Sequence, residues 1–142
     1  MDKKIRKVAK TKEGVPKKYL PASLSPEDRK KQLKSIKEGT DRPKLKSAKP
    51  KRSTHVIKFE KKYGTKITNK SFINKNLLSF KGQEEIIKKG KAAYRTGSRP
   101  NQTPMSWSLA RLASALTGGK AAQIDKDILK KYGKGEIKKK YS

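Results

Sequence analysis

Large apolar residues change their spacing at about residue 53, and that change divides the chain. Before it they stand alone, at Ile5, Val8, Val15, Leu20, Leu24, Leu33, Ile36 and Leu45, with prolines at 16, 21, 26, 43 and 50 among them. So few apolar side chains cannot offset the entropy of ordering the backbone, so residues 1–52 are predicted to form an extended arm. One short helix interrupts it, over about 26–38. Ser25 is a good N-cap, Pro26 suits the first helical position, Glu27 and Asp28 place negative charge on the first turn, and Gly39 supplies the stop. Only Leu33 and Ile36 form an apolar stripe, so this helix is expected to dock weakly or on a partner.

From 53 to about 133 the pattern becomes helical. Ser53 or Thr54 can cap HVIKFEKKY, where Val56, Ile57, Phe59 and Tyr63 keep helical spacing up to Gly64. Thr68 or Asn69 opens KSFINKNLLSF, with Phe72, Ile73, Leu77 and Phe80 on one side. Gly82 precedes QEEIIKKGKAAY, which places Glu84 and Glu85 on a first turn and turns Ile86, Ile87, Gly90, Ala93 and Tyr94 inward. TGSRPNQ reads as a loop. Thr103 and Pro104 then start MSWSLARLASAL, stopped by Gly118 and Gly119. Met105, Leu109, Leu112, Ala113 and Leu116 make one stripe on it, and Trp107, Ala110 and Ser114 a second. A helix apolar on more than one side is usually central to a bundle. AAQIDKDILKKY is the last helix, using Ile124, Ile128 and Tyr132, and KGEIKKKYS is expected to be an extended tail. FEKKYG and ILKKYG read as two similar helix ends. The predicted fold class is mainly α: a helical bundle domain (53–133), a long extended basic arm (1–52) and a short basic tail (134–142).

Charge narrows the partner. The chain has 142 residues and a formal net charge of +28, against a magnitude of about 2–8 for a small soluble domain. Nucleic acid, an anionic membrane face or an acidic protein surface would neutralise it. Arginine supplies only seven of the forty cations. Lysine acts as a mobile point charge, whereas reading guanine edges favours the planar guanidinium fork. This surface therefore predicts diffuse, salt-sensitive attraction without base-reading. The absence of cysteine excludes disulfides and thiolate metal sites. No apolar run reaches the roughly 18 residues of a membrane span, and the N-terminus lacks the apolar region of a secretory signal.

Candidate chemistry is thin. His55, the only histidine, has no second histidine or cysteine to pair with and reads as a solvent-facing or capping residue. Asp125 and Asp127, flanked by lysines, are a weak ligand set for Mg²⁺. Gly118-Gly119-Lys120 precedes a helix as a phosphate cradle does, but lacks P-loop spacing and a preceding strand, and reads as a helix–helix turn. No catalytic residue, metal site or cofactor is expected. Contact with a polyanion or acidic partner is assigned to Lys17, Lys18, Lys44, Lys46, Lys49, Lys51, Arg52 and Arg99. The run from Lys44 to Arg52 and the loop around Arg99 are its main carriers. Phe59, Tyr63, Trp107, Leu109, Leu112 and Leu116 are assigned to core or interface.

The blocks VPKKYLPASLSPEDRKKQLKSIKEGTDRPKLKSAKPKRSTHVIKFEKKYG and SRPNQTPMSWSLARLASALTGGKA carry a likeness. From about Val15 to Tyr132 the chain resembles a small basic protein family of large algal DNA viruses of the chlorovirus type. The resemblance implies a virion context: a minor capsid protein on the inner side of the shell, made in an infected host cell. The partners expected from it are the major and other minor capsid proteins, with DNA or the inner membrane face as further contacts. It transfers no catalytic residues. The alternative expectation is a virion protein that neutralises or condenses DNA non-specifically.

Overall fold

The computed structural model describes residues 14–47 and 53–141. Over them the protein is mainly helical, as predicted. A 3-10 turn, Lys17–Tyr19, precedes eight α-helices: α1 Pro26–Glu38, α2 Thr54–Tyr63, α3 Lys70–Asn76, α4 Phe80–Thr96, α5 Pro104–Leu116, α6 Lys120–Ile124, α7 Lys126–Tyr132 and α8 Gly135–Tyr141. These residues separate into two compact units, 14–47 with 95–102 and 53–94 with 103–141.

The first unit revises the expected course of the arm. Residues 14–47 are compact, because the loop 95–102 supplies partners from far along the chain. Val15, Leu20, Leu24 and Leu45 form a small buried cluster, with Tyr19, Leu33 and Ile36 packed on it. Polar side chains complete the closure. Gln32 Nε2 donates to Tyr19 O at 3.1 Å and to Ser98 O at 3.0 Å. Asn101 accepts from Leu45 N at 2.7 Å and donates to Leu45 O at 3.3 Å, imitating a backbone pair. α1 starts and stops as predicted: Ser25 accepts from Asp28 N, and Gly39 takes a left-handed conformation. Its most buried residues, however, are Gln32 and Ser35, while Leu33 and Ile36 are half-buried. Buried donors are tolerated where they are hydrogen-bonded, and here the Gln32 Nε2 and the Ser35 hydroxyl, which donates to Gln32 O at 2.8 Å, take the place of apolar side chains.

The second unit is a helical bundle, as the fold class predicted, but its bounds differ: 95–102 belong to the first unit and 134–141 join the bundle. Phe59 of α2, Ile73 of α3, Ile86 of α4, Leu112 and Leu116 of α5 and Leu129 of α7 share one buried cluster. α5 packs against α2 and α6, and α7 against α6 and α8. The α5 start is a capping box, with Thr103 and Ser106 bonding each other's backbone amides. α2 runs from its Ser53 cap to Gly64, also as predicted.

Four local expectations are corrected. α3 ends at Asn76, because Leu78 leaves the helix to form an isolated antiparallel bridge with Gly133. α4 therefore starts at Phe80, passes through Gly82, and carries Glu84 and Glu85 beyond its first turn. The last predicted helix is broken at Asp125 into α6 and α7, which leaves Ile124 67% exposed. KGEIKKKYS is helical over α8, with Ile137 buried in the bundle core. Ile57, Phe80 and Met105, placed on apolar stripes by spacing, are also exposed.

Candidate cationic interface

Five of the predicted contact residues lie in the first unit: Lys17, Lys18, Lys44, Lys46 and Arg99, all exposed. Lys49, Lys51 and Arg52 lie outside the described residues. The 3-10 turn closes through Tyr19 N donating to Pro16 O at 2.9 Å, and it presents Lys17 and Lys18 outward. Lys18 Nζ lies 5.5 Å from the centre of the Tyr19 ring. Burial raises the Tyr19 phenol above its ordinary value, and the charges of Arg99 and Arg42 oppose that rise. The structure thus brings Lys18 and Arg99 to the surroundings of one tyrosine. Lys44 and Lys46 flank Leu45, which is buried and held by Asn101, so both lysines project from a fixed backbone.

Two carboxylates of this unit, Asp28 and Asp41, have local tasks. Asp28 Oδ2 accepts from Ser47 N at 3.0 Å and from the Ser47 hydroxyl, and these two bonds hold its carboxyl below the ordinary carboxylate range. Asp41 accepts from Arg95 at 2.6 Å. The unit's described residues hold twelve Lys and Arg against four Asp and Glu, a net of +8.

A second cationic feature lies in the other unit, in residues expected from their sequence to form a helix end and an extended tail. Lys131, Lys134 and Lys138 line an open depression of about 460 Å³ with Ser79 and Tyr132. Its floor is fixed by backbone. Ser79 N donates to Tyr132 O at 3.1 Å, and Lys134 N donates to Leu77 O at 2.8 Å. Gly135 has φ 54, and a Cβ there would stand 2.6 Å from Asn76 O, so only glycine permits this turn between α7 and α8. The run KKYGKGEIKKK, with two glycines inside a lysine string, is the trace of this site in the sequence.

The remaining candidates have structural roles. Asp125 is buried, and both its oxygens accept from Arg111, Oδ2 from Nε at 2.8 Å and Oδ1 from Nη2 at 2.7 Å. Hydrogen bonding to Asp125 raises the Arg111 pKa further. At the turn Gly118-Gly119-Lys120, two amides that could face an anion are engaged by α5: Gly119 N donates to Ser114 O at 2.8 Å, and Ala121 N to Ser114 Oγ at 3.2 Å. His55 sits exposed on the first turn of α2. Phe59, Leu112 and Leu116 are core, while Leu109, Trp107 and Tyr63 are half-buried. The Tyr63 hydroxyl donates to Glu136 Oε1 at 2.7 Å.

The match that places this architecture among known proteins runs over residues 16–132, from the 3-10 turn to the end of α7. The chain belongs to the family of unknown function DUF5824. The DUF5824 match takes in the described cationic residues of the first unit and Lys131, and it stops short of Lys134 and Lys138. Among curated proteins and solved structures, nothing matches the chain. Among the described residues, no helix is long and apolar enough to cross a membrane.

Proposed function

We propose that this protein is a non-catalytic, structural minor capsid protein of a large DNA virus, stabilising the shell from its inner side by binding neighbouring capsid subunits. The likeness of residues 15–132 to a viral family supports this, as does the net charge of +28. The observation that carries the reading is the division of labour among the charges. Asp28, Asp41, Asp125 and Glu136 each serve an internal contact, whereas Lys17, Lys18, Lys44, Lys46 and Arg99 are exposed on backbone that is held in place. Counter-charge must therefore come from outside, and an acidic subunit face offers it over many weak contacts. Such contacts are screened beyond about 8 Å at physiological salt, so attachment would tighten only where the surfaces meet. The deciding experiment locates the protein in intact particles. Ordered, symmetry-repeated density beneath the shell is the expected result; release together with the genome on disruption would overturn it.

One observation favours a second reading, non-specific binding and neutralisation of DNA. Lys131, Lys134 and Lys138 line one open depression, an arrangement of cations that suits a backbone phosphate. Replacing all three with alanine would then flatten the salt dependence of DNA binding by about 0.9 in log–log slope for each phosphate no longer neutralised. A slope unchanged by the triple variant removes this reading.

A further inference from the structure

The second unit holds a half-open pocket of about 220 Å³ whose walls are Ile67, Ile87, Leu109 and Leu112. Thr68, Lys70 and Met105, all exposed, stand at its mouth. The volume falls below the roughly 300–1,000 Å³ of small-molecule sites, so it suits one apolar side chain better than a cofactor.

Gln83 also lines the pocket and is only 2% exposed. Its Nε2 donates to Leu78 O at 2.9 Å and to Lys70 O at 3.2 Å, and these two carbonyls fix which end of the amide is nitrogen. Oε1 is buried, and no donor among the described residues reaches it. Buried acceptors in native proteins are nearly always paired. An almost wholly apolar pocket of this size is complementary to one side chain of a peptide segment, with Gln83 in its wall.

We propose that this pocket anchors one apolar side chain of an acidic segment on a partner protein, with Gln83 in the wall that the side chain meets. The inference rests on the acidic-protein reading above and names where such a partner is gripped. Charge selects the occupant. No carboxylate lines the pocket, Lys70 stands at its mouth, and the unit's described residues hold nineteen Lys and Arg against six Asp and Glu. A second copy of the chain would bring +28 against +28. The chain's own residues 1–13 carry apolar Ile5 and Val8, but with six cations against two carboxylates.

The test uses the full-length, isotope-labelled protein and two short Asp/Glu-rich peptides, one with a central leucine and one with serine in its place. Burying the leucine predicts about tenfold or tighter binding than the serine peptide, and a shift of the Gln83 side-chain amide resonance that the serine peptide does not cause. Thr68→Trp, at an exposed position, fills the pocket, abolishes the difference and leaves the serine peptide's affinity unchanged. Equal affinities with a silent Gln83 amide would overturn the pocket proposal while the acidic-partner reading stands. If neither peptide binds, both fall. A Gln83 resonance that moves on deleting residues 1–13 would assign the pocket to the chain itself and overturn the proposal too.

Discussion

Gly90→Ala tests the packing of α4 on α5, because two effects of opposite sign compete there. In an exposed helix the change would stabilise by about 0.8–1.0 kcal/mol, the propensity difference between glycine and alanine. Gly90 is buried, and a Cβ at this position would stand 2.7 Å from Ser108 Oγ and 2.8 Å from Ser108 Cα. Carbon atoms in good contact are about 3.5–4.0 Å apart, so the two helices must separate by roughly 0.7–1 Å. A gap of that size forfeits about a quarter to a half of each contact's attraction. Ile86 and Tyr94, one turn to either side, are fully buried, and full burial of such side chains contributes about 1.5–3 kcal/mol each. After the propensity gain, the net loss is about 1 kcal/mol at the centre of these ranges and about 2 kcal/mol at most, or roughly 4–8 °C in Tm at the centre for a unit of this size. Thermal unfolding followed by far-UV circular dichroism and by Trp107 fluorescence reads it. Adding Ser108→Gly removes the Oγ clash but leaves Cα, so the double variant should show favourable coupling of about 0.5 kcal/mol or more. A Tm raised by the full propensity gain, roughly 3–8 °C, would refute the close approach of these helices.

Asp125→Asn leaves the Arg111 guanidinium, whose side chain is 18% exposed, facing a neutral partner. Breaking a buried pair costs about 3–5 kcal/mol, and the lower end is expected because Arg111 still reaches water; an unchanged urea midpoint would contradict this. Asp28 has its folded pKa below the unfolded 3.8, so its contribution to the first unit is complete above that pH and is lost as pH falls through the folded value. Protection of the Ser47 amide from exchange should fade over that acid range, and Asp28→Asn should abolish the pH dependence; protection that ignores acid counts against it. Asn101 sits at φ 61 and bonds both backbone atoms of Leu45. Asn101→Gly keeps the conformation and loses two bonds of about 0.5–1.5 kcal/mol each, while Asn101→Ala adds left-handed strain of about 1–2 kcal/mol. Exchange at the Leu45 amide should therefore accelerate from wild type to Gly to Ala, and any other order would fail the reasoning.

Where the chain spells its own local geometry, the elements are legible from residues alone. Ser25-Pro26 to Gly39, Ser53 to Gly64, and Thr103-Pro104 to Leu116 hold as helices because cap, first turn and stop lie within one stretch and satisfy the backbone there. The basic character of the surface is legible for the same reason, since charge needs no partner to be counted. The compactness of residues 14–47 is a tertiary outcome. It depends on Gln32 meeting Ser98 across 66 positions and Asn101 meeting Leu45 across 56. Apolar periodicity is blind to such polar closure. The break at Asp125, the bridge from Leu78 to Gly133 and the lysine depression it supports likewise arise only when distant backbone segments come into register. Sequence by itself determined which segments coil and how much positive charge they carry, because both follow from nearest neighbours along the chain. Which polar groups are buried, and which lysines share a surface, was decided by tertiary structure, because a buried hydrogen bond is worth making only once both partners have lost their water.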